Sequence, residues 1–228
     1  MKKKKIVLGI FFLCTLLCGS FFVSHMSKVM AHNVFKVLDG VNIVLDAGHG
    51  IPDMGAHSNQ IKEHDINLRI TKKLETLLKN AGAHVVLTRK DMYDLASLKA
   101  KNRKKEDMKK RIAIINNDEI DLFVSIHLNS FTNPSARGAL AFYKQDSEAS
   151  KAFANILQKH FKILTNTKLT SKSGDYYILN NTSKVGALVE CGFLSNESDR
   201  SLLITNSYQE KLAKSLYDSI VEYFRFLN

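Results

Sequence analysis

The chain has 228 residues, 45% of them hydrophobic, and a formal net charge of +11 at pH 7. This length suits one well-buried core, and no linker-like stretch or composition break marks a second globular domain. Two of the three cysteines, Cys14 and Cys18, lie near the amino terminus, so Cys191 is alone in the body and a disulfide framework is excluded.

The amino terminus has the pattern of an export segment. Lys2–Lys5 precede an uncharged run over residues 6–23, which is typical of a signal peptide but is also about long enough to span a bilayer. Residues 1–31 are therefore predicted to be a signal peptide or an N-terminal membrane anchor. The four lysines predict an extracytoplasmic body.

The exported body remains basic. Residues 1–30 contain five lysines and no acid, so the rest of the chain has a net charge of +6. This charge suits an anionic partner such as the cell wall or a membrane surface, although a solvated surface would look the same. No basic-aromatic motif indicates nucleic acid.

The first half of the body alternates between strand and helix patterns. Residues 41–45 form an aliphatic, β-branched run followed by a Gly-His-Gly loop, which predicts a buried strand. Apolar residues at helical spacing over 62–79 predict a helix, residues 84–89 a second strand, and residues 92–117 a helix with a break. This order favours a parallel or mixed sheet covered on both faces by helices.

The second half continues the same architecture. Predicted strands cover 121–130, 139–143, 175–179 and 185–190, and predicted amphipathic helices cover 147–164 and 207–227. The sequence thus predicts one α/β domain over residues 40–228.

Four side chains are predicted to meet at one edge of this sheet. His49 and His127 follow the ends of two strands, Glu63 begins the first helix, and Glu190 ends the last strand. Two imidazoles and one carboxylate are a common ligand set for catalytic zinc, and a second carboxylate can act as acid and base. Each residue also has an ordinary alternative, such as a helix N-terminal acid for Glu63. The pattern alone indicates a metal-dependent hydrolase without fixing the roles.

Five segments in order resemble the signatures of the zinc-dependent N-acetylmuramoyl-L-alanine amidases of bacterial cell walls. They are LDAGHG (45–50), KEHDINL (62–68), VLTR (86–89), LFVSIHLNS (122–130) and LVECGFLSN (188–196). The resemblance implies a six-stranded mixed sheet. It also implies one zinc ion held by His49, Glu63 and His127, with Glu190 as the catalytic carboxylate.

A narrower likeness is to the germination-specific subgroup, which removes stem peptides from spore-cortex peptidoglycan ahead of muramic-δ-lactam formation. Peptidoglycan is the implied substrate, and a regulatory partner protein is a further candidate. Asn129 and Arg89 are weaker candidates for the substrate-binding site, Arg89 in a supporting role. His57 and His64 are further histidine candidates for the site. The alternatives are a zinc carboxypeptidase-like peptidase and a non-catalytic wall-binding module with a structural metal.

Overall fold

A six-stranded mixed sheet is the centre of this computed structural model, which describes residues 37–58 and 60–227. The strands are β1 (Asn42–Ala47), β4 (His84–Leu87), β5 (Leu122–Asn129), β6 (Leu140–Tyr143), β7 (Lys172–Ser173) and β8 (Val185–Phe193), and a separate antiparallel pair is formed by β2 (His57–Ser58) and β3 (Ile61–Lys62). The order in the sheet is β4-β1-β5-β8-β6-β7. The first four of these strands are mutually parallel, and β6 runs antiparallel to β8.

Helices cover both faces of the sheet, as the sequence predicts. They are α1 (Glu63–Asn80), α2 (Arg103–Ile115), α3 (Glu148–Thr165), α4 (Tyr177–Asn180), α5 (Glu197–Leu203) and α6 (Asn206–Leu227). Helix α6 packs against α1 and α3, while α2 contacts α4. An apolar cluster that includes Val44, Phe123 and Leu188 from the strands and Ile115 from α2 fills the space under α2 and α4.

The predicted helix over 92–117 is too long at its start. The helix begins only at Arg103, and residues before it form turns. Asp91 accepts a hydrogen bond from the backbone N–H of Tyr93, and Asp94 accepts one from Ala96. Such side-chain-to-backbone bonds compete with helical hydrogen bonding.

The predicted strand over 175–179 is wrong. The sixth strand is the two-residue β7, and the predicted segment contributes the single helical turn α4 instead. Ile178 and Leu179 are adjacent and both buried, whereas a strand would direct neighbouring side chains to opposite faces. The Asn180 side chain also donates to Asp175 at 2.6 Å, which closes the turn.

The export segment predicted over 1–31 lies outside the described residues. Within the described ranges, none of the helices combines the length and the apolar character needed to cross a bilayer.

Candidate metal centre

Two histidine side chains contact one carboxylate oxygen of Glu63 where the parallel strands of the sheet end. Oε1 of Glu63 lies 3.2 Å from Nε2 of His49 and 3.1 Å from Nδ1 of His127. One potential ligand atom from each residue lies within 4.8 Å of the other two. Two imidazoles and a carboxylate therefore point at a common volume.

Strand pairing explains why residues so far apart in sequence meet. Strands β1 and β5 are parallel neighbours, and the Gly48 N–H continues their ladder by donating to the Ile126 carbonyl at 3.0 Å. His49 and His127 therefore leave the same sheet edge. Glu63 is the first residue of α1, and its Oε2 accepts from the Ala56 N–H at 2.7 Å.

Two glycines provide the space for these side chains. A Cβ atom at Gly48 would overlap the imidazole ring of His127. A Cβ atom at Gly55 would lie 2.5 Å from Oε2 of Glu63, and Gly55 also has a φ of 66°, which favours glycine. The loops around His49 and Glu63 are thus shaped around the candidate ligands.

Glu63 is buried, with an exposure of 3%, yet it is held as an anion. Burial by itself would raise the pKa of its carboxyl group, but hydrogen bonds with His127 and His49 lower that pKa well below its usual range. Its Oε1 also accepts from the Leu128 N–H at 3.0 Å and from the Asn67 amide at 3.2 Å.

Asp53 orients the His49 ring. Its Oδ2 lies 3.1 Å from Nδ1 of His49 and 3.1 Å from Nζ of Lys104. Burial lowers the pKa of His49, but the hydrogen bonds to Asp53 and Glu63 outweigh it and raise that pKa to about 9. A proton on Nδ1 facing Asp53 leaves Nε2 as the metal-facing nitrogen, which is the usual carboxylate–histidine–metal arrangement.

The donor set fits zinc. Two ligands about 2.1 Å from a tetrahedral ion lie about 3.4 Å from each other, and the contacts of 3.1 and 3.2 Å to Glu63 are close to that value. Three protein ligands would leave a fourth position for water, as in catalytic zinc sites. His49, Glu63 and His127 are the residues that would hold the ion.

Glu190 lies beside this cluster. In the parallel pairing of β5 and β8 it is the direct partner of His127. It is 7% exposed, and its Oε2 is buried with no hydrogen-bond partner in the described part of the chain. Burial, together with the charge of Glu63, raises the pKa of Glu190 to about 7 although His127 opposes the shift. A carboxyl group in this state can both accept and donate a proton near neutral pH.

Two buried arginines hold the backbone of the His49 loop. Arg111 donates to the carbonyl of His49 at 2.6 Å and to that of Ala47 at 2.8 Å. It also forms ion pairs with Asp46 at 2.7 Å and with Asp107 at 2.9 Å. These four contacts fix the strand end and the loop relative to α2.

Arg89 supports the same loop from the other side. It donates to the carbonyls of Ala47, Gly48 and His64 at 2.8, 3.0 and 2.7 Å. Its exposure is 2%, and burial, followed by the nearby charge of Arg111, lowers its pKa to about 10. This geometry favours the supporting role for Arg89 over a substrate contact.

The other candidate residues lie outside the ligand cluster. Asn129 is half-buried at the end of β5 and makes no side-chain hydrogen bond within the described ranges, so it remains a candidate substrate contact. His57 is exposed in β2. His64 is fully buried, and neither of its ring nitrogens has a hydrogen-bond partner among the described residues.

The sequence patterns do not predict Asp53, Asp107 or the role of Arg111. Asp53 had a local signal, because it follows His49 by four residues in a turn-rich loop. Arg111 had none, since its pattern is that of a charged helix and two of its partners, Asp46 and His49, lie 65 and 62 residues earlier in the chain.

Fold and site together define the class of protein: a hydrolase of α/β architecture with a two-histidine, one-glutamate candidate metal centre and a buried carboxylate beside it. The family model for N-acetylmuramoyl-L-alanine amidase matches residues 43–222, and the chain belongs to this family. It is an enzyme of that activity, as the resemblance implies.

Relatives with more than 30% sequence identity support the family assignment. The germination-specific N-acetylmuramoyl-L-alanine amidase of Bacillus subtilis (strain 168) is 36% identical over 192 residues, which cover 82% of this chain and 81% of the relative. The CwlD amidase of Clostridioides difficile, solved in complex with the GerS lipoprotein, is 37% identical with a TM-score of 0.79, covering 82% of this chain and 99% of that one. The catalytic domain of CwlV from Bacillus (Paenibacillus) polymyxa var. colistinus is 33% identical with a TM-score of 0.72, covering 81% and 98%.

Proposed function

We propose that this amidase is zinc-dependent, with His49, Glu63 and His127 as the ligands and Glu190 as the group that moves protons. The observation that supports this best is the convergence of both imidazoles on one oxygen of a buried glutamate, next to a carboxylate without a hydrogen-bond partner in the described ranges. Zinc, when bound, polarises a carbonyl and lowers the pKa of a water molecule.

Glu190 performs the proton transfers. It accepts a proton from the water that attacks the carbonyl carbon between the lactyl group of N-acetylmuramic acid and L-alanine. The C–N bond then breaks, and Glu190 returns the proton to the departing alanine amine, so that the carboxylate is regenerated. Burial raises the pKa of Glu190 above its ordinary value, which suits a group that both accepts and returns a proton near neutral pH.

The proposed substrate is spore-cortex peptidoglycan outside the cytoplasm, where stem-peptide removal would precede muramic-δ-lactam formation. The germination-specific relative supports this placement, and the body charge of +6 suits an anionic wall. Residues 1–31 would direct export as a cleaved signal or would remain as an anchor, with the catalytic domain over 40–228. A regulatory partner protein is also proposed, since a relative was solved with a lipoprotein.

The test is digestion of purified cortex and vegetative peptidoglycan by the full chain, with and without a chelator, followed by mass analysis. The proposal predicts free stem peptides that begin with alanine, intact sugar strands, activity lost with chelator and restored by zinc, and faster release from cortex. Release of carboxyl-terminal amino acids instead would favour a carboxypeptidase-like enzyme. Binding to the wall without release would favour a non-catalytic module.

A further inference from the structure

A cavity of about 180 Å³ opens beside the candidate metal centre. His49 and His127 form one part of its wall, and Tyr176 and Tyr177 form another. Met108 of α2 adds an apolar side chain. The cavity therefore borders the two candidate zinc ligands and the two tyrosines together.

The ring of Tyr176 is held in one place. It packs edge-to-face on Phe142, with ring centroids 4.9 Å apart. It also lies directly over Gly174, where a Cβ atom would come within 2.6 Å of the ring carbons. The Tyr176 carbonyl accepts from the Asn180 N–H at 2.9 Å, so its backbone is fixed as well. A ring held by two contacts on a fixed backbone directs its hydroxyl group reproducibly.

The hydroxyl group of Tyr176 is available as a donor. It makes no hydrogen bond within residues 37–58 and 60–227. Burial, followed by the charge of Glu190, raises the pKa of Tyr176 to about 12. The phenol therefore stays protonated near neutral pH.

Two cationic side chains that line the cavity are committed elsewhere. Arg111 is paired with Asp46 and Asp107 and bonded to backbone carbonyls. Lys104 is paired with Asp53. Amide hydrolysis develops negative charge on the carbonyl oxygen, and a preorganised donor aimed at that oxygen commonly lowers the barrier by a few kcal/mol.

We infer that Tyr176 is a further catalytic residue, whose hydroxyl group donates a hydrogen bond to the carbonyl oxygen of the scissile amide as that oxygen becomes negatively charged. No proton is transferred in this contact. The inference rests on the proposed function, because the substrate must lie between Tyr176 and the pair formed by His49 and His127. It extends that function by placing a protein donor on the reacting oxygen.

The decisive variant is Tyr176→Phe, which removes only the hydroxyl group and keeps the ring against Phe142 and Gly174. We expect kcat on a soluble muramoyl-peptide to fall about 100-fold with little change in KM, because the lost bond forms mainly in the transition state. The matched control is Tyr217→Phe, since Tyr217 is a half-buried tyrosine of α6 outside the cavity lining; its kcat should stay close to that of the wild type.

A binding measurement separates catalysis from structure. By calorimetry, Tyr176→Phe should lower the affinity for a phosphonamidate analogue of the tetrahedral intermediate by about the same factor as it lowers kcat. Its affinity for the released stem peptide, its zinc content and its Tm should match those of the wild type.

An unchanged kcat, or an equal loss in Tyr217→Phe, would overturn the role of Tyr176 and leave the proposed function intact. A lowered zinc content or Tm in Tyr176→Phe would also overturn it, as a sign of a structural role. A wild-type enzyme that releases no stem peptide would overturn both.

Discussion

Arg111 donates through Nη2 to the carbonyl oxygen of His49 at 2.6 Å, so that a helix residue holds the backbone of a candidate zinc ligand. His49 has a φ of 62°, a conformation that costs a non-glycine residue roughly 1–2 kcal/mol. The ion pairs of Arg111 with Asp46 and Asp107 stabilise its buried charge. The strained loop is therefore maintained by a buried network rather than by its own sequence.

Replacing Arg111 by lysine should weaken zinc binding about 10-fold or more and destabilise the fold by about 3 kcal/mol. Lysine keeps the charge but not the fork of donors, so its single ammonium group cannot serve both buried carboxylates and both carbonyls. Zinc competition with a chromophoric chelator and urea unfolding measure the two effects. The control is Arg69→Lys, which changes an exposed ion pair with Asp65 and should cost less than about 1 kcal/mol. Equal effects of the two variants would contradict the role of Arg111 in holding the His49 loop.

Asp53→Asn should lower zinc affinity about 10-fold with little change in fold stability. The carboxylate that orients Nδ1 of His49 is lost, and the partners of metal-bound histidines typically have effects of this size. Lys104→Gln is the control, because Lys104 contacts the same carboxylate but is itself exposed. If Asp53→Asn bound zinc as tightly as Lys104→Gln, the orienting role would be rejected.

Glu190→Gln should reduce turnover by about 100- to 10,000-fold and leave zinc content unchanged. Glutamine is close to glutamate in size but cannot accept the proton of the attacking water. Stem-peptide release and metal analysis of the same preparation test this. Glu197→Gln, at an exposed position of α5, should be fully active. Surviving activity in Glu190→Gln would mean that another group moves the proton.

Gly48→Ala should displace the ring of His127 and abolish both zinc binding and activity. The new methyl group would occupy the space of the imidazole, which cannot move without leaving the candidate site. Gly40→Ala is a useful comparison, because a Cβ at Gly40 meets open space. Its φ of 77° predicts a loss of about 1 kcal/mol in stability and normal zinc content. Normal zinc content in Gly48→Ala would contradict the placement of His127.

Stability should fall in acid through Asp46. Burial raises the pKa of this carboxyl group, but Arg111 and hydrogen bonds from Ser125 and Thr88 lower it from 3.8 to about 2. Because the folded pKa is the lower one, the contribution of about 2 kcal/mol is fully present above the ordinary pKa of 3.8 and disappears as pH falls towards 2.

Urea unfolding at pH 7, 4, 3 and 2 measures this dependence. In Asp46→Asn the part of the acid sensitivity between pH 4 and 2 should be absent, while the variant is less stable at pH 7 because Arg111 loses a partner. An identical acid profile for the wild type and the variant would assign the sensitivity to other groups.

Sequence patterns were reliable where one local rule sufficed. The aliphatic runs of β1, β5 and β8 predicted buried strands, because continuous apolar runs suit strands covered on both faces. The positions of His49 and His127 at strand ends predicted a shared sheet edge, because carboxyl ends of parallel strands meet there. Local patterning failed over 175–179, where tertiary packing of Ile178 and Leu179 decided in favour of a helical turn.

The sequence by itself determined which chemical groups are present and that four of them end at one edge of an α/β sheet. Only the tertiary structure decided what holds them there, namely the hydrogen bonds of Arg111 and Arg89 to loop carbonyls and the contact of Asp53 with His49. It also decided that Tyr176 shares a cavity with both histidines. The physical reason is that burial and hydrogen bonding depend on partners from separate strands and helices. Such partners follow from the packed fold, whereas periodicity describes only one element at a time.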